Sequence, residues 1–385
     1  MPIEIRARLA SAPRKPVHAD TLLALQATYY SDSRQHRGGD PEWIVRSARE
    51  YEELGYDSAL VAQSSGWPDV NAVAGWALAA TTRFRIATAH RIGLQSPTAG
   101  ARALATLEQL SAGRVSAHFI LGSTDEDQAR DGDLLPKSER YRRAHEYLQI
   151  VTQYLRSTES FDYDGEFFKV KDALAGYRPP TTRPLISYAG YSPESIEIAA
   201  QYADIYAITG ETLASSRALI EQVSTAAARH GRTLSFWHHG PNVILGDTDA
   251  HARDKTETLI SELLRIRAAT DASTTRPPSV TRGAHNTDHQ GWLTDDSDDW
   301  HDTALYTGIG RRTGYKYPTF VGSPQTVADA LLAHYDLGVR IFGVGMSVDA
   351  PEDKELVREL IRLLRAGAAE RDARTGQSTV YSQAS

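Results

Sequence analysis

The sequence has no cysteine among its 385 residues. This absence excludes disulfide bonds, thiolate catalysis, iron–sulfur clusters and cysteine-ligated zinc. No apolar run approaches the length of a membrane-spanning helix, and the amino terminus lacks the apolar core of a signal peptide. We therefore expect a cytoplasmic protein that does not contact a membrane.

An excess of positive charge is also absent, since 42 lysines and arginines face 49 acidic residues, a formal net charge of −7. This balance gives no support for nucleic acid as a partner. The chain lacks the glycine-rich fingerprint of dinucleotide-binding units, the phosphate-binding P-loop, and the GxSxG and HExxH motifs of hydrolases. No metal site is predicted, because the adjacent His238 and His239 would point to opposite sides of a strand.

What the sequence does contain is a regular alternation of short apolar runs and helical segments with apolar stripes. The candidate strands are Leu22–Thr28, Ser58–Ala62, Phe84–Ala89, Val115–Leu121, Leu185–Tyr188, Asp204–Ile208, Val243–Leu245 and Arg340–Val344. Runs that are apolar throughout are typical of parallel strands covered on both faces. Eight such strands with helices between them predict an α/β fold, a (β/α)8 TIM barrel formed by the whole chain as one domain. An open doubly wound sheet is the alternative.

Two segments and the two ends interrupt this alternation. Phe161–Val170 is interpreted as a hairpin around the turn dipeptide Asp164-Gly165. Thr270–Pro318 is a long polar insertion, which predicts a functional lid or a disordered loop. Residues 1–19 and 375–385 are expected to be flexible tails.

Four short motifs resemble those of one enzyme family. Leu107–Arg114 (LEQLSAGR) is similar to the LxxLSxGR signature of the bacterial-luciferase-like flavin-dependent monooxygenases. Ser138–Tyr141, Phe161–Val170 and Ala189–Ser192 follow in the order and at the spacing of that family. The similarity runs from about Leu22 to Leu364 and is greatest to the alkanesulfonate monooxygenase branch. The resemblance implies the same TIM barrel that the strand pattern predicts.

Arg140 and Tyr141 lie near the start of a predicted helix, where free N–H groups and a guanidinium can hold a phosphate. From the residues alone, Arg140 could equally be a surface arginine paired with Glu139 or Asp133. Ser192 could likewise be only a helix cap. The resemblance implies that the flavin phosphate binds between Arg140 with Tyr141 and the loop Gly190-Tyr191-Ser192.

The resemblance also implies contacts to the isoalloxazine ring of the flavin. The matching positions are Gln63, Ser64, Ala89, His90, His118 and Asp127. Asp127 matches a loop carboxylate of a relative that opens a pyrimidine ring. From the strand pattern alone, His118 is simply a buried, hydrogen-bonded histidine.

The substrate side departs from the alkanesulfonate branch. The arginine and histidine of that branch correspond here to Gly240 and Asn242. The catalytic residues are unknown, and the candidates are His239, Arg311 and Arg312. With Lys316, the two arginines form a basic cluster that could hold an anionic substrate or could be a solvated surface.

The resemblance implies a two-component monooxygenase. Reduced FMN would come from a separate NAD(P)H:flavin reductase and would react with O2 to give a peroxyflavin. That species would oxygenate a small alkanesulfonate, sulfone or heterocycle, in a homodimer or homotetramer. The alternatives are an F420-dependent oxidoreductase of the same fold and a non-catalytic flavin-binding barrel.

Overall fold

The computed structural model describes residues 3–13, 38–122, 125–174, 182–209, 212–239, 242–273, 298–313, 319–345 and 351–375. The strands in these ranges are β1 (Glu4–Arg8), β2 (Ser58–Val61), β3 (Arg85–Arg91), β4 (Val115–Ile120), β5 (Phe161–Asp164), β6 (Lys169–Ala173), β7 (Leu185–Ala189), β8 (Ile205–Thr209), β9 (Ser235–His239), β10 (Asn242–Leu245), β11 (Trp300–His301), β12 (Leu305–Tyr306), β13 (Thr319–Gly322) and β14 (Val339–Gly343). The helices are α1 (Pro41–Leu54), α2 (Val70–Ala80), α3 (Pro97–Ser111), α4 (Asp125–Arg130), α5 (Lys137–Arg156), α6 (Pro193–Tyr202), α7 (Leu213–Arg229), α8 (Asp249–Ser273), α9 (Gly308–Thr313), α10 (Pro324–Asp336) and α11 (Pro351–Thr375).

Eight parallel strands close into a barrel in the order β1-β2-β3-β4-β7-β8-β9-β14. β1 closes the barrel, because it pairs with β2 on one side and with β14 on the other. This confirms the predicted TIM barrel and rules out the open sheet. None of the described helices combines the length and the apolarity needed to cross a bilayer.

The first strand corrects the prediction of a flexible tail over residues 1–19. Glu4–Arg8 lies inside that segment and is part of the barrel. Its apolar residues Ile5 and Ala7 are buried, as are Ile3 and Leu9 on either side of it. The predicted strand Leu22–Thr28 lies outside the described residues, as does almost all of the predicted tail 375–385.

A second sheet stands beside the barrel in the order β10-β13-β12-β11. Val243–Leu245 belongs to this sheet, so its predicted place in the barrel is wrong, and β9 occupies that place instead. The interpretation of 270–318 as a loop is also wrong for residues 298–313, which form β11, β12 and α9. Apolar packing accounts for the regular structure of residues 298–313, because Tyr306 and Ile309 belong to the same buried cluster as Leu259 and Ile260 of α8.

The predicted hairpin is confirmed, since β5 and β6 pair antiparallel.

The strands of the barrel divide the apolar core into two parts. The larger part lies between the strands and the helices. The smaller part fills the barrel interior with Leu60, Ala87, Ala89, Ile205, Ala207, Trp237 and Ile341. Alanines at several of these positions leave room toward the carboxyl ends of the strands, where TIM barrels place their active sites.

Candidate active site

Arg140 lies in the first turns of α5 and is only 4% exposed. Its Nη1 donates to the Leu135 carbonyl oxygen at 2.7 Å, and its Nη2 donates to Asp125 Oδ1 at 2.8 Å. Its Nε has no partner among the described residues. The alternative pairing with Asp133 is wrong, because Asp133 is held by Arg143 at 3.0 Å. Arg140 is therefore buried with one donor still available.

Tyr141 meets the loop after β7. The Tyr141 hydroxyl lies 3.1 Å from Ser192 Oγ and 3.3 Å from Ser195 Oγ. Ser192 also caps α6, accepting from the backbone N–H of Ser195 at 3.2 Å. Gly190 has φ +139°, and a Cβ there would lie 2.4 Å from Ser195 Oγ. We call Tyr141, Gly190, Ser192 and Ser195 the hydroxyl cradle; the sequence predicted three of its four members.

Tyr191 lies beside the hydroxyl cradle and points across to the neighbouring strand. Its hydroxyl hydrogen-bonds the Thr209 hydroxyl at the end of β8. Tyr206, one strand away, donates to the Gly190 carbonyl oxygen. These bonds fix the loop after β7 against the end of β8.

Asp127 organises the end of β2. It accepts from Ser64 Oγ at 2.9 Å and from Ser65 Oγ at 2.7 Å, and Arg91 Nη1 donates to it at 3.1 Å. Burial raises the pKa of Asp127, but the hydrogen bonds from Ser65 and Ser64 and the charge of Arg91 lower it below its usual value. Gln63 Nε2 lies 3.4 Å from the Ser64 carbonyl oxygen in the same loop. Asp127 is therefore an ionised carboxylate that positions this loop.

His118 lies inside the barrel, next to Ala89 on β3. Its Nδ1 is 2.9 Å from Ser187 Oγ, and its ring stacks on His239 with centroids 5.8 Å apart. Trp237 meets the same ring edge-on at 5.2 Å. Burial and the charge of Arg6 lower the pKa of His118 to about 3. His118 is therefore neutral at physiological pH and lies beside the candidate His239.

His90 is not in this group, contrary to the predicted ring contact. Neighbouring strand residues face opposite sides, so Ala89 points inward and His90 points to the helical layer. There His90 Nε2 lies 2.7 Å from the Tyr147 hydroxyl, and its ring packs on Phe119. Burial lowers the pKa of His90 to about 4.

Arg311 and Arg312 lie on α9, against α8. Arg311 pairs with Asp299 at 2.6 Å, and Arg312 pairs with Glu257 at 2.8 Å. Both guanidinium groups thus have carboxylate partners, which does not support the predicted anion site at these two residues. Lys316 and Gly240 lie outside the described residues.

The sequence prediction missed Arg6, Ser187 and Trp237, although all three face the barrel interior. Arg6 is 3% exposed, and its guanidinium lies 4.3 Å from the centroid of the Trp237 ring. The available signal was the alternation of apolar and charged residues in Glu4–Arg8, which has the period of a strand. Among the described residues, no group of three or more His, Asp or Glu side chains could hold a metal ion.

Comparison with known proteins agrees with this architecture. The structure is similar to that of EDTA monooxygenase (EmoA) from Chelativorans sp. BNC1, with a TM-score of 0.73 and 16% identity over 95% of this chain and 94% of that chain. Riboflavin lyase (RcaE), solved with modified FMN and its substrate riboflavin, gives a TM-score of 0.72 and 17% identity over 98% of this chain and 96% of that chain. An F420-dependent secondary alcohol dehydrogenase, solved with an F420-acetone adduct, gives a TM-score of 0.64 and 15% identity over 95% of this chain and 100% of that chain. At these identities the likeness shows the fold alone.

The family is decided by the sequence match. Residues 24–340 match the family described as luciferase-like monooxygenase, which is more than half of the chain. The match spans Ser64, His118 and the hydroxyl cradle. With the closed barrel and the residues gathered at the carboxyl ends of its strands, the chain belongs to the luciferase-like monooxygenase family.

Proposed function

We propose that this protein is a flavin-dependent monooxygenase that uses reduced FMN and O2 to oxygenate a small organic substrate. A separate NAD(P)H:flavin reductase would supply the reduced FMN. The observation that carries the proposal is the buried, unpartnered Nε of Arg140 next in sequence to Tyr141 of the hydroxyl cradle.

The residues fit a phosphate group. The hydroxyls of Tyr141, Ser192 and Ser195 can each donate to a phosphate oxygen, and Arg140 adds charge. Gly190 has no side chain, so the backbone leaves space where a Cβ would meet Ser195. Asp125, the present partner of Arg140, is 82% exposed and can turn into solvent at little cost.

The carboxyl-terminal mouth of the barrel fits a flat, largely apolar ring. Ala89 and Ala207 are small, and Leu60 and Trp237 exclude water around them. His118 is fixed by Ser187 and presents a neutral imidazole. The reducing electrons and the reaction with O2 would be supplied by FMN when bound, and the chain would contribute anchoring, orientation and a dry pocket. This division of labour requires no nucleophile–base triad.

The substrate falls in the class of small sulfonates, sulfones and heterocycles under this proposal. An alkanesulfonate is the narrower hypothesis within this class. Gly240 and Asn242 stand where the alkanesulfonate branch has an arginine and a histidine, so the substrate would not bind as it does in that branch. Arg311 and Arg312 do not support it either, because both are paired with carboxylates.

Anaerobic titration with reduced FMN and with reduced F420 tests the cofactor. We expect reduced FMN to bind, and Arg140→Gln to weaken that binding by about 1.5–3 kcal/mol, the scale of a hydrogen bond to a charged group. Arg142→Gln is the matched control, since Arg142 is a half-exposed residue of the same helix paired with Glu166. Tighter binding of F420 would support the F420-dependent alternative.

Oxygen consumption with reduced FMN and a substrate panel tests catalysis. We expect at least one compound of the proposed class to yield an oxygenated product and to lower the hydrogen peroxide formed per O2 consumed, because reduced FMN alone consumes O2 as well but releases hydrogen peroxide. Tight FMN binding with no product from any compound would favour the non-catalytic barrel.

A further inference from the structure

Three arginines surround one carboxylate at the amino-terminal face of the barrel, opposite the mouth. Arg183 precedes β7, Asp204 precedes β8 and Arg232 precedes β9, and these three strands are neighbours in the barrel. Arg156 is the last residue of α5. We call Arg156, Arg183, Asp204 and Arg232 the Asp204 cluster.

Two of the arginines already use the carboxylate. Arg183 Nη1 and Nη2 donate to the two oxygens of Asp204 at 2.7 and 2.9 Å. Arg232 Nη2 lies 3.5 Å from Asp204 Oδ1 and donates to the Ala203 carbonyl oxygen at 2.6 Å. Asp204 also accepts from the backbone N–H of Ile186 at 2.9 Å. The carboxylate therefore has little capacity left for a third guanidinium.

Arg156 brings that third guanidinium without a partner of its own. It has no hydrogen bond and no ion pair with any residue that the structure describes. Burial and the charges of Arg183 and Arg232 lower the pKa of Arg156, whereas Asp204 raises it, so its guanidinium lies within electrostatic range of the other three. Arg232 keeps a buried Nε that has no acceptor among the described residues. The cluster thus retains both charge and donors for a further group.

The charge balance fixes the kind of group. Three guanidinium groups and one carboxylate leave two uncompensated positive charges, in a chain whose formal net charge is −7. Glu197 of α6 does not supply the missing negative charge, because it pairs with Arg229 at 3.2 Å and with His230 at 2.6 Å. A doubly charged oxyanion would balance the cluster, and the planar fork of a guanidinium matches the oxygens of a phosphate.

We propose that the Asp204 cluster binds a doubly charged phosphate group, with Arg156 and Arg232 donating to its oxygens and Arg183 adding charge. The same chemistry recognises inorganic phosphate and a phosphomonoester. The site is independent of the proposed function, because the flavin phosphate would bind at the hydroxyl cradle. Arg140, beside that cradle, lies sixteen residues before Arg156 in the same helix, a distance of about 24 Å.

Calorimetric titration at pH 8 and constant ionic strength tests this with inorganic phosphate, AMP and adenosine. A phosphomonoester is doubly charged at this pH. We expect phosphate and AMP to bind and adenosine not to bind. Arg156→Gln should weaken this binding about ten-fold or more, the scale of a hydrogen bond to a charged group. Arg142→Gln is the matched control, because Arg142 is an exposed arginine of the same helix with a carboxylate partner, Glu166.

Arg140→Gln distinguishes the two phosphate sites. We expect it to leave binding at the Asp204 cluster intact, and the double variant with Arg156→Gln to lose that binding. Phosphate binding that Arg140→Gln removes and Arg156→Gln leaves unchanged would belong to the hydroxyl cradle and would overturn the inference. Binding of adenosine as tight as that of AMP would also overturn it. If AMP binds more tightly than phosphate, the ligand is a phosphomonoester, and the reverse order identifies the free ion.

Urea unfolding separates binding from a structural role of Arg156. In chloride the stability of Arg156→Gln should remain at the wild-type value, because the substitution removes like-charge repulsion and breaks no pair. Phosphate should raise the urea midpoint of Arg140→Gln protein, since a ligand that binds only the folded state stabilises it, and should not raise that of the double variant. Lower stability of Arg156→Gln in chloride with unchanged phosphate affinity would show that Arg156 only supports the fold.

Discussion

The two sides of the barrel mouth present different polar chemistry. The hydroxyl cradle contains Tyr141, Ser192 and Ser195, whose hydroxyls already contact one another at 3.1–3.3 Å. The opposite side of the barrel, at β1 and β9, contains Arg6 and Trp237, whose Nη1 and Nε1 have no acceptor among the described residues. We call it the arginine side. Hydroxyls can donate or accept, so the cradle is satisfied with or without a ligand. The two donors of the arginine side can be satisfied only by an acceptor.

This difference predicts that substitutions on one side mainly change the stability of the fold, whereas substitutions on the other mainly change ligand binding. The cradle is built from local elements, a helix cap and the adjoining loop. The arginine side depends on long-range charge pairing, since Glu4 pairs with both Arg6 and Arg85. Substitutions on the arginine side should therefore affect folding most, and substitutions in the cradle should act mainly on cofactor affinity.

The largest effect is expected from Glu4→Gln. Burial raises the pKa of Glu4, but Arg6 and Arg85 outweigh it and hold the pKa at about 2. Removing the carboxylate takes away the ion pair of the buried Arg6 and one ion pair of Arg85, and should cost about 3–5 kcal/mol of unfolding free energy. In the wild-type protein the same contribution is present above the ordinary pKa of 4.5 and is lost as the pH falls toward 2.

Urea unfolding at pH 7 measures this cost. Glu359→Gln is the control, because Glu359 pairs with Arg362 on the exposed face of α11. A loss for Glu4→Gln no larger than for Glu359→Gln would mean that the charge pairing on the arginine side does not stabilise the barrel.

Gly190→Ala should have the next largest effect, and it changes the hydroxyl cradle. Gly190 has φ +139°, and an added Cβ would lie 2.4 Å from Ser195 Oγ. Strained backbone costs about 1–3 kcal/mol, and displacement of Ser195 should in addition weaken reduced FMN binding. Gly338→Ala separates the two effects, since Gly338 has φ +106° but open space around it. Unfolding and anaerobic titration should show strain in both variants and lost FMN affinity only in Gly190→Ala.

The sequence predicted most of the barrel because its strands are buried on both faces. Val115–Ile120 and Leu185–Ala189 are read directly from their apolar runs. The strand Glu4–Arg8 was missed because its inward residues are charged. Their partners, Ser58 and Arg85, lie more than fifty residues away, so only the closed barrel explains them.

The site was predictable where the signal was local. Ser192 has the sequence of a helix cap, and Arg140 lies in the first turns of its helix. The facing direction of His90 depends on the strand register, which a motif does not give. The pairing of Arg312 depends on Glu257, which is distant in the sequence but adjacent in the fold.

A smaller effect on the free energy of unfolding is expected from His118, which lies inside the barrel between the two sides of its mouth. Burial and the charge of Arg6 lower its pKa from 6.5 to about 3, so the folded protein keeps the imidazole neutral. The unfolded chain binds a proton below pH 6.5, and the stability from this residue is complete above that pH. Below it, stability falls by about 1.4 kcal/mol per pH unit until about pH 3.

Urea unfolding of His118→Gln and wild-type protein between pH 5 and 8.5 measures this dependence. We expect the variant to lose less stability than the wild-type protein below pH 6.5 and to run parallel to it above pH 7.5. Identical slopes throughout would show that His118 becomes protonated in the folded protein.

The smallest effect on stability is expected at Ser192, where the cap and the proposed phosphate contact can be separated. Ser192→Ala removes the acceptor for the Ser195 N–H and should cost about 1 kcal/mol. Ser192→Asp keeps an acceptor and should retain most of that stability, yet its charge should repel a phosphate and weaken reduced FMN binding by more than alanine does. Ser323→Ala, at the equivalent cap of α10, should lower stability alone. If Ser192→Asp bound reduced FMN as the wild-type protein does, the hydroxyl cradle would be only a helix cap.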